Sequence, residues 1–238
     1  MMDSIFDMTT HVDKNFFLSP VHIYTISSFV LVTTLFYHLR NHYFVRKYSH
    51  LLFIVLLVIS EISIVAWSIA VGQWDIRYNL PLQLCTISLY LCIFMLATKN
   101  FLLFEFVYFF GLGGAIQAIL TPDLFYTFPH FRFIHFFVAH IAIIFSILYM
   151  VWVMQFRVTF RSLIKSFALL NVLAILAFIV NIYTGTNYMF LARKPTNPSI
   201  LDYLGPYPWY IISLEFLVFF IFLFLYLPFI LNQKRKVF

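Results

Sequence analysis

Asn79-Leu80-Pro81-Leu82-Gln83-Leu84-Cys85 opens an apolar run that continues to Thr98. A turn signal, an amide and a thiol therefore stand where the chain leaves a polar segment for a stretch of membrane length. Polar side chains at such a place need partners inside the protein. Read as a helix start, Pro81 takes an early helical position with Asn79 or Leu80 as the cap. Cys85 then falls about 6–8 Å along the axis, past the first turn, where the helix dipole has faded. On that reading the thiol needs a nearby base, with histidine the fitting one, to act as a nucleophile. Its plainer role is that of a small apolar packing residue. Cys92, two turns deeper and without a polar neighbour, is read as packing.

Working outward, the composition allows one class only. Of the 238 residues, 63% are hydrophobic, 21% aromatic and 10% charged, where a soluble domain carries about 25% charged residues. With a mean hydropathy of +0.94, too little polar surface remains to coat a globule in water. Apolar runs near 20–39, 50–71, 80–98, 101–120, 132–154, 164–184 and 207–231 predict an all-α, seven-span helical bundle, a single integral membrane domain over 1–238. Only Thr98-Lys99-Asn100 separates the third and fourth spans, which predicts a tight helical hairpin. Gly111, Gly113, Gly114, Ala115 and Ala118 predict close helix packing on the fourth span.

Charge sets the expected orientation. Alternate loops hold Arg40, Arg46, Lys47, Lys99, Arg157, Arg161, Lys165, Lys234, Arg235 and Lys236, against Lys14, Arg77, Arg132, Arg193 and Lys194 on the other side. The excess predicts an outside N-terminus and a cytoplasmic C-terminus in a multi-pass protein of the cell membrane. Asp3, Asp7 and Asp13 make the N-terminal segment a short acidic tail rather than a cleavable signal. The +6 formal charge is loop charge of this kind and no argument for nucleic acid. Cys85 and Cys92 stand roughly 10 Å apart by helical rise, too far for a disulfide. No Cys/His metal spacing occurs, and no cofactor is expected.

The outer half of the predicted bundle collects the unusual residues. His130, His135 and His140 stand at the head of the fifth span, His130 being read as interfacial. His135 and His140 differ by about 140° around a helix, so one point cannot face both. An intramembrane imidazole is a functional candidate by default, against a structural hydrogen bond. Asp123 orients His130 or His140, or begins a turn. Asn187 and Tyr188 lie in an apolar stretch that covers the site as a lid or rests at the interface. Glu61 and Glu215 are buried carboxylates of the kind a proton-coupled transporter uses, or members of an internal hydrogen-bond network.

Five phrases then occur in order: NLPLQLC, GLGGAIQAILTPD, PHFRFIHFFVAH, TNYMFLARKP and LDYLGPYPWY. Together, from about Asp75 to Tyr210, they resemble the YwaF-like family of bacterial integral membrane proteins. A related eukaryotic branch is regarded as lipid acyltransferases working through a cysteine and a histidine. The resemblance implies that the cysteine is Cys85 and the histidine His140. Gln83 stands where the family often has histidine, and an amide there can still donate to a carbonyl or oxyanion. Gln83, His135, Asp123, Asn187 and Tyr188 are the candidate substrate-binding residues. The implied activity is acyl transfer or hydrolysis on membrane phospholipids through an acyl-cysteine, with the acceptor open. A proton-coupled transporter and a non-catalytic membrane assembly partner are the alternatives.

Overall fold

The computed structural model of the chain describes residues 5–13 and 17–234. Asp3, Lys14, Arg235 and Lys236, used above for charge, lie outside the described residues. The structure is all-helical: α1 (Pro20–Leu39), α2 (Tyr43–Ala70), the single turn α3 (Ile76–Asn79), α4 (Leu84–Thr98), α5 (Phe101–Phe106), a π-helical segment (Val107–Gly111), α6 (Leu112–Leu120), α7 (Phe131–Trp152), α8 (Phe160–Thr184) and α9 (Trp209–Lys234). With Phe101–Leu120 taken as one rod, six helices among the described residues are long and apolar enough to span a bilayer. The seventh, α4, has 15 residues and is short for the task.

That shortness corrects the expected helix start. Leu80 is extended, at φ −63° and ψ 143°, because the residue before a proline is pushed out of the α region. Its N–H is taken by the Tyr188 hydroxyl at 3.0 Å, and Leu82 N–H closes on Leu80 O at 2.8 Å. Pro81 therefore lies in a turn, and Gln83 caps α4. Asn79 ends α3 instead, whose start is capped by the Asp75 side chain accepting from Arg77 N–H.

The predicted hairpin between α4 and α5 is present. Lys99 turns the chain at φ 52°, and the Asn100 side chain accepts from Leu103 N–H to start α5. The small residues then fix how closely the rods approach. A Cβ placed on Gly111 would stand 3.4 Å from both Ser88 Cβ on α4 and Ile147 Cδ1 on α7. One on Gly113 would meet Ile221 of α9 at 3.4 Å, and one on Gly114 would meet Leu84 at 3.5 Å. The π-helical turn thus ends on the glycine that lets α4 and α7 close around it, with Phe104, Phe109, Ile147 and Met150 fully buried nearby.

The chain winds so that α1, α4, α7 and α9 start at one end, where the long loops lie; short connections join helices at the other. At the loop-rich end residues 5–13 fold back onto 125–131. Asp13 N–H bonds Phe125 O, Thr127 N–H bonds His11 O, and Phe131 N–H bonds Ile5 O. The described part of the expected acidic tail is therefore a strap against the bundle.

Candidate functional site

Because α4 starts at Leu84, Cys85 is the second residue of its helix, within the first turn. The expectation that it lies beyond the dipole's reach is overturned. The first N–H groups of a helix have no intrahelical partner. Among the described residues no hydrogen bond is made by the N–H groups of Leu84, Cys85 or Thr86, and Gln83 supplies no side-chain cap. Partial positive charge is therefore directed at a partly buried thiol.

Gln83 reaches sideways instead, its Oε1 accepting from Met189 N–H at 3.2 Å. Tyr188, 2% exposed, drives its hydroxyl into the same turn, donating to Arg77 O at 2.7 Å while accepting from Leu80 N–H. Asn181 holds Tyr188 from behind: its Oδ1 accepts from Tyr188 N–H at 2.7 Å and its Nδ2 donates to Tyr188 O at 3.0 Å. Asn187 is occupied within its loop, accepting from Ala192 and Arg193 N–H and donating to Arg193 O. Met189 and Phe190 carry φ of 55° and 56°, a left-handed conformation bulky residues adopt only under constraint. The constraint is visible: Gln83 fixes Met189, and the Tyr210 hydroxyl donates to Phe190 O. Asp123 anchors the far part of this loop, accepting from Asn197 Nδ2 at 3.0 Å. Its bonds run to the loop and not to a histidine.

The histidines separate by what their ring nitrogens do. His130 is fully buried and caps α7, with Nδ1 accepting from Arg132 N–H and Nε2 donating to Asp7 O. It is a closed structural residue rather than an interfacial one, and burial pushes its imidazole below the ordinary value. His135 Nε2 donates to Ser60 O on α2 at 3.1 Å. His140 Nδ1 lies 2.6 Å from Phe136 O; a carbonyl only accepts, so Nδ1 carries the proton and Nε2 keeps its lone pair. Among the described residues Nε2 has no hydrogen bond, and His140 retains 8% of its surface.

Helical phase relates the thiol to this base. Ser88, one turn beyond Cys85, and Ile147, two turns beyond His140, both touch the Gly111 position. Cys85 and His140 therefore occupy the faces of α4 and α7 that close around Gly111, about 5 Å and 10 Å nearer the loop-rich end. No hydrogen bond joins Cys85 Sγ to His140 among the described residues. Glu61 and Glu215 belong to separate interfaces: Tyr90 on α4 donates to Glu61 Oε1 at 2.6 Å, and Asn171 on α8 donates to Glu215 Oε2 at 3.1 Å.

A family model described as the TMEM164 family matches residues 17–226, from the lead-in to α1 to deep within α9. The chain belongs to the TMEM164 family. No curated protein and no solved structure matches it significantly. The TMEM164 match makes this a multi-pass membrane protein by family as well as by composition. It spans α4 and α7 in full, so both candidate residues are family territory.

Glu105 escaped the sequence reading. It is 4% exposed, accepts from Ser162 and pairs with Lys165 at 3.1 Å at the short-loop end. The available signal was one acid in an apolar rod opposite the Ser162, Lys165 and Ser166 stripe of α8. Size alone does not find the site either. A mostly apolar groove of about 440 Å³ between α1 and α7 has walls of Val21, Phe29, Phe133 and Ile141, with the hydroxyls of Tyr24, Thr25 and Ser28 as its polar groups.

Proposed function

We propose that this TMEM164-family protein is a membrane acyltransferase or lipid hydrolase that carries the acyl group on Cys85. The observation that supports it is a first-turn thiol beside amide N–H groups that have no hydrogen bond among the described residues, on the α4 face that closes around Gly111 together with the α7 face carrying His140, whose Nε2 keeps its lone pair. The five-motif resemblance points to the same two residues.

In this mechanism His140 Nε2 takes the proton of Cys85 Sγ, directly or through one water, and the thiolate attacks the carbonyl carbon of a phospholipid ester. The N–H groups at the start of α4, with the Gln83 amide beside them, stabilise the oxyanion. Collapse of the tetrahedral adduct breaks the C–O bond. The leaving alkoxide takes the proton back from His140, giving a lysolipid and an acyl-Cys85 thioester. A hydroxyl of an acceptor lipid, or water, then attacks the thioester while His140 takes its proton, and Cys85 leaves as the protonated thiol. The membrane suits this chemistry because the acyl tails stay in lipid while the ester approaches from the side.

By the charge argument, the site lies in the outer half of the bilayer. A transport pathway would need Glu61 and Glu215 to share a route, and their partners hold them at different interfaces.

The test is labelling of purified full-length protein by a phospholipid with an alkyne-tagged acyl chain. A hydroxylamine-sensitive label is expected on wild type, absent in Cys85→Ala and reduced about 100-fold or more in His140→Ala. Correctly inserted wild type that never labels, across phospholipid classes, sinks the proposal. So does labelling that survives Cys85→Ala.

A further inference from the structure

A second polar feature stands at the loop-rich end, apart from the thiol. A cavity of about 270 Å³ lies between the last turns of α2 and the start of α7. Arg132 lines it, and among the described residues its guanidinium has neither a hydrogen bond nor an ion pair. It lies over the Trp67 ring, 5.5 Å from Cζ to centroid, and within electrostatic range of Tyr126. Such a cation needs an anion when taken out of bulk water. Among the described residues no carboxylate lines the cavity; the nearby Asp75 is committed to Arg77 at 2.6 Å.

The remaining polar walls offer donors. Asn79 lines the cavity and spends its Oδ1 on Asp75 N–H, and among the described residues its NH2 group has no hydrogen bond. Among the described residues the Gln73 amide and the Tyr126 hydroxyl have no side-chain hydrogen bond. One fixed cation with several neutral donors and no acid is the pattern that recognises a phosphate. Met8, Ile64 and Trp67 supply the apolar part of the lining. The flanking α2 residues Ile62 and Ile69 are 63% and 60% exposed on a helix of membrane length.

We infer that this cavity holds the phosphate of a phospholipid headgroup, with Arg132 as its cation and Asn79, Gln73 and Tyr126 as neutral donors. The apolar lining and the exposed α2 face supply the lipid surface that a soluble phosphate site would lack. Arg132 stands eight residues before His140, about 12 Å along α7, a span that two side chains and a glycerol unit cover together. The inference deepens the acyl-transfer reading by naming where the donor's headgroup is held, and rests on that reading for this role alone. Binding itself needs no working thiol.

The experiment therefore uses full-length Cys85→Ala protein in nanodiscs of uncharged, phosphate-free lipid. Binding is measured for a short-chain phosphatidylcholine, for the matching diacylglycerol and for inorganic phosphate. Phosphatidylcholine is expected to bind at least about tenfold more tightly than either diacylglycerol or inorganic phosphate. Arg132→Gln is expected to weaken phosphatidylcholine about tenfold or more and to leave diacylglycerol unchanged, with Arg132→Lys between the two. Equal phosphatidylcholine binding in Arg132→Gln overturns the site. Inorganic phosphate binding as tightly as phosphatidylcholine overturns the lipid assignment. Should Arg132→Gln fail to insert, Gln73→Ala combined with Asn79→Ala gives the same readout, and unchanged affinity there rejects the site equally. Correctly inserted wild type that binds phosphatidylcholine but never takes the acyl label would instead reject the acyl-transfer reading and leave the headgroup site standing.

Discussion

Two polar regions sit at opposite ends of this bundle, and they are built by opposite rules. At the short-loop end Glu105 is surrounded: Ser162 and Lys165 occupy its carboxylate and Ser166 its backbone carbonyl, while Thr159 and Ser162 cap α8 reciprocally. At the loop-rich end Tyr188, Asn181 and Gln83 make an equally dense network. Yet beside it the first N–H groups of α4, His140 Nε2 and the Arg132 guanidinium are left without hydrogen bonds among the described residues. A buried polar group without a partner costs the fold. The closed cluster therefore reads as a fastener, and the open one as groups held ready for something that arrives.

The sharpest way to break this contrast is to delete one residue from each end. Cys85→Ala removes a thiol that makes no hydrogen bond among the described residues, so it is expected to cost about 1 kcal/mol or less while acyl labelling disappears. Glu105→Ala should do the reverse. Lys165, 53% exposed, returns to water at little cost. The hydroxyls and the vacated volume then account for a loss of about 2–3 kcal/mol. The unfolding midpoint in detergent should fall accordingly, with acyl labelling per folded molecule retained. A Glu105→Ala protein as stable as wild type would remove the distinction between the two ends.

Tyr188→Phe tests the part of the loop-rich end that is closed. It deletes a hydroxyl that both donates to Arg77 O and accepts from Leu80 N–H, leaving two backbone groups unmet for about 1–2 kcal/mol. Because those groups shape the turn ahead of Gln83 and Cys85, labelling should slow without vanishing. Normal labelling at reduced stability would make the Tyr188 loop a fastener only.

What could be read in advance follows from the range of the interactions involved. Hydropathy located all seven rods, and the Lys99-Asn100 hairpin was legible because its signals are local. The start of α4 was not, since Gln83 is extended just ahead of it and its amide is taken up by the backbone of Met189, 106 positions away. With it went the position of Cys85 relative to the helix dipole. The strap of residues 5–13 reads in sequence as no more than a short acidic tail because its contacts are mostly backbone bonds, which leave no mark in side-chain pattern. The π-helical turn is similarly silent: Gly111 advertises close packing, but not the change of register that brings Ser88 and Ile147 to it. His140 was nominated by resemblance, whereas the tautomer that frees its Nε2 depends on a carbonyl only the fold places.

The smallest expected effect concerns His130, where the strap meets the bundle. Its ring stacks on Tyr126 at 4.0 Å, and Trp67 meets it edge-on. Burial lowers its affinity for a proton first; the bond to Asp7 O opposes this, His11 and Arg132 reinforce it, and the Asp7 charge opposes it. Its folded value therefore lies below the ordinary 6.5, so on acidification the unfolded chain binds the proton first. The stability held above about pH 6.5 is lost progressively as pH falls through that value toward the folded one. Asp123 works in the opposite sense and at lower pH. Burial raises its carboxyl above 3.8 despite the bonds from Asn197, so the folded state takes up that proton first and gains stability as pH drops toward 4. The unfolding midpoint should thus decline between about pH 7.5 and 5.5. In His130→Asn, which keeps a capping acceptor for Arg132 N–H but cannot titrate, the decline should be shallower. Equal slopes in the two proteins would show that the strap's histidine is not among the groups that make this end of the bundle sensitive to acid.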